Sequence, residues 1–182
     1  DGPDPVSTPK LLKVLKYHEV KAAFFPIGTK TQIYSEVVKQ IDQEGHVLGN
    51  HSFRHAWWTN FLISRALDRE IQRSQEAIET AIGKIPAYFR PPMGLTNPHL
   101  RGRLKKHGLT VVGWDVRPFD TWRPNKKVKE KVLRKVRNGS IILLHETGRG
   151  AADLPRFIDD LVAALKAQEY AIIGLEELVG IK

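Results

Sequence analysis

A chain of 182 residues with 41% hydrophobic and 27% charged residues has the length and balance of one folded domain with a substantial core, which excludes a disordered or low-complexity protein. It has no cysteine, so disulfides and thiolate ligands are excluded, and any metal must be held by histidine, carboxylate and water. Lysine and arginine exceed aspartate and glutamate by 29 to 20, a formal +9 that favours anionic partners, while no apolar run approaches the roughly 20 residues that would cross a bilayer.

Taken in order, residues 8–17 carry Leu11, Leu12, Val14 and Leu15 at helical spacing, with Ser7 or Thr8 as N-cap and Pro9 at the first helical position. Residues 21–28 are an apolar run of strand length, as expected of a strand buried on both faces. A helix is predicted over 32–43, ended by Gly45, and a strand over 46–50. The longest helix is predicted over 61–82, closed by Gly83. The alternation continues with strand 87–90, helix 98–107, strand 110–116, helix 126–137, strand 140–144, helix 154–168 and strand 170–175.

Strict succession of strand and helix predicts a parallel α/β architecture. The chain opens on a loop and a helix, so a first strand is expected upstream of Asp1. With it the fold class is a distorted (β/α) barrel of about seven strands, the rival being an open doubly wound sheet. One domain is expected over 1–182, truncated at its N-terminus. The basic stretches 101–107 and 123–137 interleave cations with Val128, Val132, Leu133 and Val136, the pattern of a helix with one buried and one solvated face. No nucleic-acid motif accompanies them, so no nucleic-acid partner is expected.

In both architectures active residues collect at the carboxyl ends of strands. The polar clusters fall there: Asp1-Gly2-Pro3 after the upstream strand, His51 and His55 after another, Arg90 to Gly94, Asp115 to Asp120, and His145. Two histidines four residues apart can converge on one metal, although such spacing also arises on a helix face or a surface loop.

These clusters, in this order, resemble the polysaccharide deacetylases of carbohydrate esterase family four, which include chitin and peptidoglycan deacetylases. Asp1-Gly2-Pro3 matches the end of the family's first motif, Thr-Phe-Asp-Asp-Gly-Pro. His51-Ser52-Phe53-Arg54-His55 matches the second, Arg90-Pro91-Pro92-Met93-Gly94 the third apart from Met93, and Leu143-Leu144-His145 the fifth.

The resemblance implies a hydrolase that removes acetyl groups from N-acetylglucosamine-containing polysaccharide, with acetylxylan O-deacetylation or a non-catalytic glycan-binding module as alternatives. It implies a metal triad of Asp1, His51 and His55 for a zinc ion, with cobalt or nickel also suited to such a donor set. His145 resembles the general acid, Leu143 a wall of the acetyl pocket, and the Met93 backbone N–H an oxyanion donor. The family's base is the residue that precedes Asp1, outside these 182 residues, and Arg90 is the residue that orients it. The fourth motif, Asp-x-x-Asp-Trp, is altered: Arg117 stands at the first Asp and Thr121 at the Trp, while Asp120 keeps the second Asp. Asp120 or Asp115 is then the carboxylate that tunes His145, and Trp122 the replacement aromatic. The implied partner is a polysaccharide substrate, the expected state a monomer, and the expected location extracytoplasmic or in the cell envelope.

Overall fold

A computed structural model of the chain describes residues 1–62, 64–148 and 151–180. Their elements run α1 (Ser7–Tyr17), β1 (Ala23–Phe24), α2 (Gly28–Ile33), α3 (Ser35–Gln43), β2 (Val47–Leu48), α4 (Ser64–Ile82), β3 (Tyr88–Phe89), α5 (Leu100–Lys106), β4 (Thr110–Val111), α6 (Asn125–Lys135), α7 (Leu154–Ala167) and α8 (Leu175–Gly180), with short 3-10 turns at Trp57–Phe61, Pro92–Gly94 and Ala151–Asp153. The residues group into two compact units, one of Asp1–Pro3, Phe24–Gln43 and Leu48–Gly113, the other of Asp4–Ala23, Glu44–Val47 and Trp114–Lys182.

In the first unit, α4 presents Leu67, Ile71 and Ile78 along one stripe, and Leu67 and Ile71 join Phe89, Leu100, Leu104 and Leu109 in a buried cluster. A helix with apolar positions every three or four residues must bury that stripe, and here it packs on a strand end and on α5. Strands β3 and β4 pair in parallel, with Tyr88 opposite Thr110 and Phe89 opposite Val111. Asn50 bridges to Phe89, donating its N–H to Tyr88 O at 2.8 Å and accepting from Arg90 N at 2.9 Å. Strand β1 pairs with β2, and the bonds Val47 N to Ala22 O and Gly49 N to Phe24 O advance in step, as in a parallel pair. Each strand so paired neighbours its successor in sequence, and among the described residues the ladders form two two-stranded sheets.

In the second unit, Leu11, Leu12 and Leu15 of α1 and Leu154, Phe157, Ile158, Leu161, Val162 and Leu165 of α7 are buried, and these two helices lie against each other. Val128 and Val132 of α6 are fully buried, while Lys126, Lys127 and Lys135 are exposed and Lys129 and Lys131 half-buried, so the solvated basic face anticipated from sequence holds for part of the helix.

Several elements differ from the expectation. The helix predicted over 32–43 begins at Gly28 and breaks at Tyr34, whose φ of −117° and ψ of 42° are not helical, and the Tyr34 carbonyl accepts from Val37 N and Val38 N to start α3. The cap of α1 is neither Ser7 nor Thr8: the Asp4 carboxylate accepts Val6 N at 2.9 Å and Ser7 N at 2.6 Å, while Thr8 Oγ1 accepts Asp4 N at 2.9 Å. This is a reciprocal cap built one turn earlier. Helix α4 begins at Ser64 instead of residue 61, because Trp57–Phe61 forms a 3-10 turn and Leu62 is extended. The strand predicted over 140–144 is reduced to a bridge between Val116 and Ile142. Beside it the Asp115 side chain takes Ser140 Oγ and Ile141 N, both at 2.8 Å, in place of backbone partners. Among the described residues the predicted strand 170–175 forms no ladder, and Leu175 opens α8 instead.

Candidate active site

In the first unit the loop after β2 carries His51 and His55, and it brings them together with Asp1 from the start of the chain. Asn50 is fully buried; its Nδ2 donates to Ile71 O at 2.8 Å and its Oδ1 accepts Ser52 N at 2.9 Å. That pins the turn in which Ser52 and His55 both take left-handed backbone, at φ 64° and 51°. Such conformations are costly for non-glycine residues and persist only where surroundings enforce them. Here Ser52 Oγ accepts His55 N at 3.1 Å. Glu70 of α4 accepts Arg54 N at 3.0 Å and Arg54 Nε at 2.7 Å. Ser52 O and Phe53 O accept the first N–H groups of α2, from Gly28 and Thr29. Gly49 is required before the loop, because a Cβ there would lie 2.3 Å from Phe25 Cε1.

His51 Nδ1 lies 2.6 Å from Arg90 O. A carbonyl can only accept, so Nδ1 carries the proton and Nε2 presents a lone pair. That lone pair lies 3.2 Å from Asp1 Oδ1, and His55 Nε2 lies 3.5 Å from the same oxygen. One donor atom from each of the three residues falls within 4.8 Å of the others. Tetrahedral ligands held roughly 2.0–2.1 Å from zinc are separated by about 3.3 Å, so the spacing fits one ion, and a two-histidine, one-carboxylate set suits its chemistry. Burial holds the His51 pKa well below its ordinary 6.5, which keeps the ring neutral.

Arg90 is buried against this centre, donating from Nε to Val112 O at 3.2 Å and from a terminal nitrogen to Gly113 O at 3.3 Å. Its guanidinium lies 4.1 Å above the Phe25 ring, which meets His51 edge-on at 6.5 Å. Burial lowers the Arg90 pKa to about 10, leaving it charged at neutral pH. Met93 sits exposed in left-handed backbone, φ 56°, within the Pro92–Gly94 turn.

In the second unit His145 meets Asp120, with Nδ1 3.0 Å from Oδ1 and the His145 backbone N–H donating to Oδ2 at 2.6 Å. Leu143 is buried close by in sequence, its N–H bonded to Val116 O. Asp115, the other candidate for tuning His145, is engaged with Ser140, Ile141 and Arg137 instead. Trp122 is 79% exposed and forms no packed wall.

The sequence reading missed Asn50 and Glu70, which hold the histidine loop from a distance that no local pattern reveals. It also passed over Trp57 and Trp58, exposed and edge-to-face at 5.7 Å just after His55, where a Trp-Trp pair in a loop was a visible signal.

The family model for polysaccharide deacetylase matches residues 1–112. The chain belongs to the polysaccharide deacetylase family. Over its full length it is 34% identical to the peptidoglycan-N-acetylmuramic acid deacetylase PdaC of Bacillus subtilis, of which it spans 38%. It is 31% identical to a peptidoglycan-N-acetylglucosamine deacetylase of Bacillus cereus, spanning all of this chain and 86% of that one. The solved PdaC structure superposes on 99% of this chain and 86% of its own, with a TM-score of 0.88 at 31% identity. A family pseudoenzyme of Bacillus anthracis shares the fold, with a TM-score of 0.83 at 24% identity over 95% of this chain and 60% of its own. Membership therefore establishes family and fold; activity must be argued from the site. Among the described residues no helix is long and apolar enough to cross a membrane.

Proposed function

We propose that this chain is the catalytic part of a metal-dependent hydrolase that removes acetyl groups from the amino sugars of peptidoglycan at the cell envelope. The observation that carries this reading is the convergence of Asp1 Oδ1, His51 Nε2 and His55 Nε2. A zinc ion held by these three residues, or cobalt or nickel in its place, would supply Lewis acidity toward the acetamide oxygen and lower the pKa of the attacking water.

The chain's own groups account for the rest. Arg90 O fixes the His51 tautomer, and Glu70 fixes the loop that carries His55. The Met93 backbone N–H is the oxyanion donor in this reading, and Leu143 lies against the acetyl methyl group. Asp120 engages His145 at Nδ1, so the proton for the departing sugar amine leaves from Nε2. Asp120 also orients the ring. Arg90 is the charge that orients a carboxylate base preceding Asp1.

The test is acetate release from N-acetylglucosamine oligomers and from purified peptidoglycan strands with added zinc, using the chain extended upstream through the expected base and strand. Release that disappears in His51→Ala and in His145→Ala supports the deacetylase. Binding of zinc and glycan without release would instead favour the glycan-binding module, a reading motivated by the altered fourth motif at Arg117 and Thr121. Release from acetylxylan alone would move the substrate to an O-acetyl ester.

A further inference from the structure

Residues 27–30, where the chain leaves β1 and enters α2, bond to both segments that carry the metal ligands. Ile27 N donates to Gly2 O at 3.0 Å and Lys30 Nζ donates to Asp1 O at 2.7 Å, while Gly28 N and Thr29 N donate to Ser52 O and Phe53 O at 3.0 and 2.9 Å. The turn that presents these donors is itself fixed: Ile27 O accepts Thr31 N at 2.9 Å and Thr31 Oγ1 at 3.1 Å, and Thr31 is fully buried. It lies hard against the histidine loop, because a Cβ at Gly28 would meet Phe53 Cδ2 at 2.6 Å and the Cα atoms of Phe53 and Ser74 at 3.0 Å.

The bonds from residues 27–29 are made by backbone N–H groups, which any side chains compatible with the turn would leave in place. The bond from Lys30 needs a long cationic side chain, and Lys30 is half-buried in making it. Ordering its stem costs rotamer entropy that a solvated lysine keeps. The histidine loop is restrained by Asn50, Ser52 and Glu70, but Asp1 is followed by Gly2, the most permissive residue in the backbone. A bond at Gly2 O alone would let Asp1 swing about the glycine. A second bond at Asp1 O, on the other side of the Gly2 Cα, stops that motion.

We propose that Lys30 is a positioning residue of the metal centre, whose ammonium clamps the Asp1 carbonyl so that the Asp1 carboxylate stays beside His51 Nε2 and His55 Nε2. This rests on the metal-centre part of the deacetylase reading and on nothing in the turnover. The clamp works against its own charge. A cation this close to a divalent ion repels it, so the charge of Lys30 by itself weakens zinc binding. Positioning and charge therefore give opposite signs when the ammonium is removed, and the positioning role makes zinc bind less tightly without it.

The experiment measures zinc affinity by chelator competition on the upstream-extended chain, with the metal-free unfolding midpoint and acetate release read in parallel. Lys30→Met, which keeps the apolar stem and removes the donor, should weaken zinc by about tenfold, the scale on which supporting hydrogen bonds act. Lys30→Arg, which keeps a cationic donor, should recover most of the affinity. Lys39→Met removes the same charge from an exposed ion pair with Glu36 and should leave zinc binding unchanged. Unchanged or tighter zinc binding in Lys30→Met overturns the proposal, as does an equal loss in Lys39→Met. A lowered metal-free midpoint with unchanged zinc affinity assigns Lys30 to the fold alone and overturns it as well. Weaker zinc in Lys30→Met, restored in Lys30→Arg, supports the clamp even where the unsubstituted chain releases no acetate, an outcome that would end only the deacetylase reading.

Discussion

A single carboxylate grips His145 at two points: Asp120 Oδ1 lies 3.0 Å from the ring Nδ1, and Oδ2 accepts the backbone N–H at 2.6 Å. Asp120 is buried, so both orientation and charge are delivered to the ring with little competition from water.

Asp120→Asn sets an amide NH2 against one of two donors and removes the charge. The expected result is a fall in kcat of about 10²-fold with KM nearly unchanged, the scale of a general-acid contribution. Steady-state acetate release checks this, and an unchanged kcat would remove His145 and Asp120 from the reaction.

The metal centre is tested without turnover. His51→Ala and His55→Ala should each abolish measurable zinc binding in a chelator-competition titration. Glu70→Ala, which leaves every ligand present but frees Arg54 N, should weaken zinc by about tenfold, the lower end of what supporting hydrogen bonds contribute. Equal affinity in all three variants would place the ion elsewhere.

Gly49→Ala drives a Cβ to within 2.3 Å of Phe25 Cε1, and Phe25 is wedged between Arg90 and His51. A loss of about 1–3 kcal/mol in urea denaturation is expected from such overpacking. Gly102→Ala inside α5, where nothing lies within 4 Å, should stabilise by about 0.5–1 kcal/mol. Similar outcomes for the two would mean that Phe25 moves freely.

His46 is buried and its Nδ1 accepts the Ala22 N–H at 3.2 Å, which requires an unprotonated nitrogen. Burial, then the charge of Lys21, lowers its pKa below 6.5. The unfolded state therefore binds the proton first: this stability is fully present above pH 6.5 and is lost as pH falls from there toward the lowered folded pKa. Denaturation midpoints between pH 7 and 5 should drop, and His46→Asn, which keeps an acceptor that does not titrate, should flatten the slope. An identical slope in the variant would assign the effect to other groups.

Much of the helical framework was legible because an amphipathic helix announces its buried stripe: Leu11, Leu12 and Leu15, or Leu161, Val162 and Leu165, are periodic in sequence and buried in the fold. Strands were legible as apolar runs but not in extent, since a ladder needs a partner at the right register. Asp115 supplies side-chain oxygens where such a partner would stand, which no local window reports. The histidine pair was visible from its spacing, while Asn50 and Glu70, which shape that loop, act through Ile71 O and Arg54 across folded distance.

By itself the sequence determined the inventory and its order: no thiol, two histidines on one loop, carboxylates at strand ends, and motifs placing the chain in its family. Only the tertiary structure decided between Asp115 and Asp120 as the partner of His145, because the choice depends on which way the backbone turns at Phe119. A left-handed residue reverses the path of the chain and aims the next carboxylate at the ring. That conformation is held by tertiary contacts against local preference, so no reading of local sequence could have supplied it.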